Sequence, residues 1–308
     1  MVEKLLNYRI DFKVKSTYLE PLLELSKTDQ RIHTTYLQTN TASGRLSSIN
    51  PNMQNIPIDD EYGLRQAFVA SPGNKLVIAD YSQIELRIMA HYCQDENLIN
   101  SFVHNQDIHT ATGARIFNKY AVEVTSKERK IAKTINFALM YGMSAHGLSK
   151  SIGIPVFEAK KYIDNFFASY SNVQKWQKEL LEKARSLGYV ETLFGRRRYI
   201  PELLAGNFHV RSAAERAAIN HPLQGTQADI LKMAMISMDK EFCSSGNRNP
   251  RLLLQVHDEL VFEVVESEVA DFAKTIKQIM ETIVTLSVPI KVKVEVGENW
   301  RDTKELSI

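Results

Sequence analysis

The 308-residue chain contains only two cysteines, Cys93 and Cys243, with no close metal-ligand spacing around either. That excludes a disulfide framework and a zinc knuckle and suits a reducing compartment. Charge of one sign is also lacking. With 38 Lys plus Arg against 36 Asp plus Glu, the net charge is +2, so any basic surface must be local rather than global. No apolar run approaches the roughly 18 residues a membrane span needs, and the N-terminus has no signal-peptide stretch. The expectation is a cytoplasmic protein without a membrane partner. Internal repeats and low-complexity segments are absent. What is present is the composition of a globular protein, 44% hydrophobic and 24% charged, long enough for a substantial core divided between two lobes.

One stretch stands out, Thr125 to Gly142. Thr125 and Glu128 form a capping box that predicts a helix start, and Gly142 is a left-handed stop after Tyr141. Between them Arg129, Lys133, Phe137 and Tyr141 recur every four residues along one face, while Ile131, Ile135, Ala138 and Leu139 form a core stripe. At about 1.5 Å per residue, cations near the start and aromatic rings near the end are separated by roughly 18 Å. A nucleotide has the same arrangement, phosphates at one end and a stackable base at the other. A solvated face with two half-buried rings is the plainer reading.

The remaining chain supplies candidates in order. Residues 1–25 read as helix up to Pro21, and Arg31–Thr41 as a strand. The segment around Arg45, TASGRLSSINPNMQNIP, reads as a long turn-rich loop. KLVIAD is an apolar strand ending on Asp80, followed by a helix that opens with Glu85 and Arg87. His104, Asp107 and His109 offer three donors without a fourth, a weak basis for a metal site. Residues 157–187 are helical with a break near Ser169–Asn172. The triple Arg196, Arg197 and Arg198 is equally compatible with a solvated loop and with phosphate contact. A helix over Arg211–Asn220 is expected to break at Pro222; Arg216, Asn220 and Gln224 again repeat every four residues, and Met233, Met235 and Met238 suit core filling. RLLLQVHDELVFEVV predicts a hairpin turning at His257, Asp258 and Glu259, then a helix over 267–285, and the alternating VPIKVKVEV a strand with one buried face.

These pieces predict a strand-built lobe drawn from both ends of the chain, with a helical insert between Asp80 and Asp258. Two carboxylates suffice for Mg²⁺, which takes its other ligands from water and substrate phosphates. A metal pair so held can clamp the attacking and leaving oxygens of a phosphoryl transfer. Arg129 and Lys133, in the N-terminal half of their helix, add cations where the dipole already favours anions.

DYSQIELR (80–87), RKIAKTINFALMYG (129–142) and QVHDELVFE (255–263) resemble the three motifs of the family A DNA polymerases, the bacterial DNA polymerase I type. GRLSSINPNMQNIP, TLFGRRRYIPEL and AAERAAINHPLQGTQADILKMAM resemble that family's intervening segments, in the same order and over nearly the whole chain. The resemblance implies an α+β fold, an antiparallel palm sheet with a large helical fingers insertion and most of the thumb missing. Residues 1–25 would be a thumb remnant, 26–88 and 245–308 the palm, and 89–244 the fingers. It implies DNA-templated DNA polymerisation by a monomer, with primer-template DNA and dNTPs as partners and two Mg²⁺ ions as cofactors.

Position by position, the resemblance implies that Asp80, Asp258 and the Tyr81 carbonyl hold the metals, with Glu259 auxiliary and Lys133 also in the catalytic set. Arg129, Lys133 and His109 would bind the triphosphate, and Phe137 and Tyr141 the sugar and base. Glu85 beside Tyr141 would exclude ribonucleotides. Arg45, Arg216, Asn220, Gln224 and His257 would touch the primer end and the minor groove, whose acceptors are nearly the same for every base pair. The helix from Thr125 would swing toward Asp80 and Asp258 when a correct pair forms.

Two departures qualify this. The chain begins within what would be the thumb, which predicts a fragment with weakened DNA binding. IDDEYGLRQAF is also more acidic than the Arg-rich version expected, which puts template contacts around Asp59 to Arg65 in doubt. A nucleotide- or DNA-binding module without useful catalysis, and a metal-dependent nuclease, are the competing function classes.

Overall fold

The computed structural model describes residues 2–58, 62–243 and 250–308. Asp59, Asp60 and Glu61, and the expected palm boundary at 244/245, lie outside the described residues.

In chain order, α1 (Val2–Val14) passes through a π-turn at Lys15–Leu19 into α2 (Glu20–Ser26). β1 (Thr35–Leu37), β2 (Ser47–Ile49) and β3 (Asn74–Tyr81) follow, then α3 (Ile84–Cys93), α4 (Glu96–Val103), α5 (Ile108–Phe117), α6 (Ser126–Met140) and α7 (Ala145–Ile152). Next come α8 (Val156–Ser169), α9 (Ser171–Leu187), the hairpin β4 (Tyr189–Glu191) and β5 (Arg197–Tyr199), and α10 (Phe208–Cys243). β6 (Arg251–Val256), β7 (Glu259–Val265), α11 (Val269–Thr282), β8 (Val292–Gly297) and β9 (Thr303–Glu305) close the chain. By its contacts the chain divides into two units: 1–80 with 239–277 and 293–308, and 81–238 with 278–292.

The first unit is built on a five-stranded sheet of order β6-β7-β3-β8-β9. β3 and β7 are buried along most of their length, which is why their sequences read as nearly continuous apolar runs. β8 buries Val292 and Val294, so Lys293 and Glu295 share the opposite face. A core of Met53, Ile56, Leu64, Leu76, Ile78, Val261 and Trp300 packs beside the sheet.

Two expectations for this unit are corrected. The first helix does not stop at Pro21. The widened π-turn just before it, with Glu20 N–H reaching the Lys15 carbonyl, accommodates a residue without a donor, and helix continues to Ser26. The strand expected over Arg31–Thr41 is only Thr35–Leu37. The supposed loop after it supplies β2, paired antiparallel to β1 with Tyr36 opposite Ser48, and a 3₁₀ turn at Met53–Asn55. Tyr36 then joins this ribbon to the sheet, its hydroxyl donating to the Gln255 carbonyl and accepting from the Gln255 N–H, each at 2.9 Å. Arg65, at the end of the stretch where template contacts were put in doubt, is buried, with its guanidinium 4.0 Å from the centroid of the Trp300 ring.

The second unit is almost entirely helical. Asp95, Asp107, Thr125 and Ser144 each cap a helix by accepting a backbone N–H. The break expected near Ser169–Asn172 is present between α8 and α9. The break expected at Pro222 is not: α10 runs through it for 36 residues. The missing hydrogen bond to Ala218 costs about 3 kcal/mol. Burial of Ala218, Ile219, Leu223, Ile230 and Ala234 on the same helix offsets it. Of the three methionines assigned to core filling, Met238 is buried while Met233 and Met235 are half-buried.

Candidate active site

In the first unit the antiparallel register places Asp80, near the end of β3, directly opposite Glu259, the first residue of β7. The preceding turn is only His257 and Asp258, with Val256 paired to Glu259. His257 sits in the left-handed region (φ 55°), a conformation that a non-glycine residue adopts at a cost. Backbone geometry therefore fixes three acids at one end of the sheet. Glu259 has partners: Trp300 Nε1 donates to it at 2.7 Å and Arg65 Nη1 lies 3.6 Å away. Asp80 Oδ1 is buried without any among the described residues.

Burial, then the charges of Asp258, Glu259 and Glu295, push the Asp80 carboxyl up to about 7, against the field of Lys293. Burial raises Asp258 too, opposed by its own backbone N–H, His257 and Arg45. Glu259 is likewise raised by burial, with Trp300 and Arg65 opposing. An unpartnered buried carboxylate oxygen among mutually repelling acids is a site that a hard divalent cation would relieve. Among the described residues no group of three or more His, Cys, Asp or Glu could hold a metal unaided.

In the second unit the capping box of α6 is formed as its sequence implies, Thr125 and Glu128 satisfying each other's backbone N–H. The helix closes with Gly142 (φ 68°), whose N–H reaches the Leu139 carbonyl while Met143 N–H reaches that of Ala138. A Cβ at Gly142 would lie 3.0 Å from Ile219 Cδ1, so the tip of that side chain on α10 would have to give by a few tenths of an ångström. Arg129 and Lys133 are exposed, and Phe137 and Tyr141 half-buried. Tyr141 donates a hydrogen bond to the buried Glu85 carboxylate. His109 is buried with its ring 6.0 Å from that of Phe137. Burial holds the imidazole down at about 4, aided by Arg129 and Lys133 and opposed by Asp107.

The two units carry different members of the expected DNA-contact set. Arg45 and His257 belong to the first, while Arg216, Asn220 and Gln224 follow one face of α10 in the second. Arg216 Nη1 donates to Ser212 Oγ at 2.9 Å, and Asn220 Oδ1 is buried without a partner. The Tyr81 hydroxyl bonds the Met280 carbonyl at 3.1 Å. The arginine triplet is largely committed internally. Arg196 grips Asp229 with two nitrogens at 2.8 and 2.6 Å, and Arg197 faces Glu191 at 3.4 Å. These two account for charges that sequence reading had left open to phosphate.

Sequence reading missed several neighbours of these residues. Asp107 caps α5 and also clamps Arg129 through Nε and Nη2, at 3.1 and 2.6 Å. Asp before a helical run signals a cap, but nothing local announces its distant cation. Lys293 and Glu295 beside Asp80 were foreseeable from the alternation of β8. The polar chain behind His109, running through Asn136, Thr112 and Tyr170, gave no sequence signal because its members come from α5, α6 and the break between α8 and α9.

The chain is 48% identical over 308 residues to the thermostable DNA polymerase I of Thermus aquaticus, covering 99% of this chain and 37% of that protein. It is 49% identical over 299 residues to the DNA polymerase I of Pseudomonas aeruginosa, covering 96% of this chain and 33% of the relative. It therefore spans about a third of the length of these relatives. Among solved structures, the polymerase domain of Pol1 from M. smegmatis, in complex with DNA primer-template and dNTP, matches with a TM-score of 0.93 and 43% identity. That match covers 97% of this chain and 53% of the other. With the family model for DNA polymerase family A matching residues 1–302, the chain belongs to DNA polymerase family A.

Proposed function

We propose that this chain carries the nucleotidyl-transfer centre of a DNA-templated DNA polymerase, in which a primer 3′-hydroxyl attacks the α-phosphate of a dNTP and pyrophosphate leaves. The observation that carries the reading is the buried, unpartnered Asp80 oxygen among acids whose charges repel one another, on a chain of this family. Asp80, Asp258 and the Tyr81 carbonyl would hold two Mg²⁺ ions. When bound, these supply positive charge to the attacking and leaving oxygens. Glu259, held by Trp300 and Arg65, would add to the negative field without being a direct ligand.

Arg129, Lys133 and His109 bind the triphosphate, with Lys133 beside the departing pyrophosphate. Phe137 and Tyr141 pack on the sugar and base, and Glu85, fixed by the Tyr141 hydroxyl, crowds the 2′ position. Arg45, Arg216, Asn220, Gln224 and His257 contact the primer end and minor groove. The palm comprises 26–88 and 245–308, the fingers 89–244, and 1–25 is the end of a thumb. The protein works as a monomer; among the described residues no helix is long and apolar enough to cross a membrane. Primer-template, dNTPs and Mg²⁺ should give primer extension. Asp80→Asn and Asp258→Asn should each abolish it; extension surviving both would sink the assignment.

A further inference from the structure

Behind His109 lies a buried chain of side-chain hydrogen bonds with only one satisfying direction. Arg115 Nη1 lies 3.0 Å from the Tyr170 hydroxyl, which is 3.1 Å from Thr112 Oγ1. Thr112 Oγ1 is 3.0 Å from Asn136 Oδ1, and Asn136 Nδ2 is 3.0 Å from His109 Nδ1. Thr112 and Tyr170 are 0% exposed, and Asn136 2%. A guanidinium can only donate. The Tyr170 oxygen therefore accepts from Arg115, and its own proton goes to Thr112. The Thr112 proton goes to Asn136 Oδ1, which turns the amide nitrogen toward His109 as a donor. Nδ1 must then be the acceptor, and the imidazole proton sits on Nε2.

Reversing the chain, with His109 Nδ1–H donating to a flipped Asn136, would turn the Asn136 amide nitrogen onto Thr112 Oγ1 and leave one of the two fully buried hydroxyl protons, that of Thr112 or of Tyr170, without an acceptor in the chain. That costs about 1–3 kcal/mol. No partner faces Nε2 among the described residues, and Nε2 is not one of the buried unpartnered atoms.

We propose that Asn136, aligned by Thr112 and Tyr170, is a positioning residue that holds His109 as its neutral Nε2–H tautomer. The imidazole thereby presents a hydrogen-bond donor to an anionic phosphate oxygen beside Arg129 and Lys133. This rests on the reading of His109 as a triphosphate contact. It adds the reason why a buried neutral histidine serves there: the proton is placed by a relay starting at Arg115, so no charge has to be buried. Asn136 works here as the hydrogen-bond partners of metal-bound histidines do, where the partner of one ring nitrogen sets the state of the other.

Long-range ¹H–¹⁵N correlation spectra of the full chain, labelled at its histidine rings, separate the two tautomers; the peaks absent in His109→Gln assign the residue. At pH 7 without nucleotide His109 should be a single Nε2–H form. Asn136→Asp, whose carboxylate can only accept, should move the proton onto Nδ1 and weaken dGTP binding about tenfold, equivalent to about 1.4 kcal/mol. Thr112→Val, which cuts the relay without a volume change, should give a mixture of tautomers even if Asn136→Asp fails to fold. A wild-type Nδ1–H form, or a tautomer unmoved by either substitution, overturns the proposal. An Nε2–H form whose resonances do not shift on adding dGTP would keep the relay and overturn the triphosphate role.

Discussion

Arg129 cannot bind a triphosphate and Asp107 fully at the same time, so Asp107→Asn is an informative perturbation. Burial would raise the Asp107 carboxyl, but hydrogen bonds from Arg129 and Thr110 override it and hold it down at about 2. Against an ordinary value of 3.8, that shift would correspond to about 2.4 kcal/mol for a group shielded from water. The side chains are 38% and 44% exposed, so screening reduces the pair to about 1 kcal/mol. Asparagine caps a helix about as well as aspartate, so the bond to Thr110 N–H survives and only the ion pair is lost. Urea denaturation at neutral pH should then show a loss of about 1 kcal/mol that shrinks in high salt. The difference from wild type should persist above pH 3.8 and vanish as pH falls toward 2, where the native carboxylate protonates. If triphosphate binding, as proposed, draws Arg129 off Asp107, the variant should bind dGTP up to about fivefold more tightly, the equivalent of about 1 kcal/mol. Weaker dGTP binding would refute this competition and make Asp107 an orienting partner of the bound state instead.

His109 should impose an acid limit of its own. With an imidazole held at about 4 against 6.5 unfolded, folding loses about 3 kcal/mol as pH drops from 6.5 to 4, and His109→Gln should flatten that slope in thermal melts. Gly142→Ala should lower stability by about 1–2 kcal/mol from the left-handed backbone alone. Contact with Ile219 should add to this, and Ile219→Val should recover that added part in denaturant titrations. Arg65→Ala removes the buried cation facing the half-buried Glu259 and should cost about 3 kcal/mol, much of it recovered in the double variant with Glu259→Gln.

Features set by local chemistry were readable from the sequence. The capping box and glycine stop bracketed α6, alternation exposed β8, and an apolar run ending in His-Asp revealed the β6–β7 hairpin. Misreadings arose where a distant contact outweighed a local preference. Pro222 breaks an isolated helix but not one whose neighbours are buried on the same element. Arg196 and Arg197 look like phosphate ligands until Asp229 and Glu191 arrive from elsewhere in the fold. Asp80 and Asp258 were each unremarkable alone; the strand register that joins them is a long-range property.

The central claim is a division of labour, with the carboxylates serving the chemical step and α6 holding the nucleotide. Single-turnover incorporation of one nucleotide, measured across dNTP concentrations by rapid quench, separates the two. Asp80→Asn should reduce the maximal rate by at least about a thousandfold, more than 4 kcal/mol of transition-state stabilisation, with little change in dNTP affinity. Arg129→Ala should chiefly weaken affinity. An Asp80→Asn protein that keeps its maximal rate and loses only dNTP affinity would contradict the account.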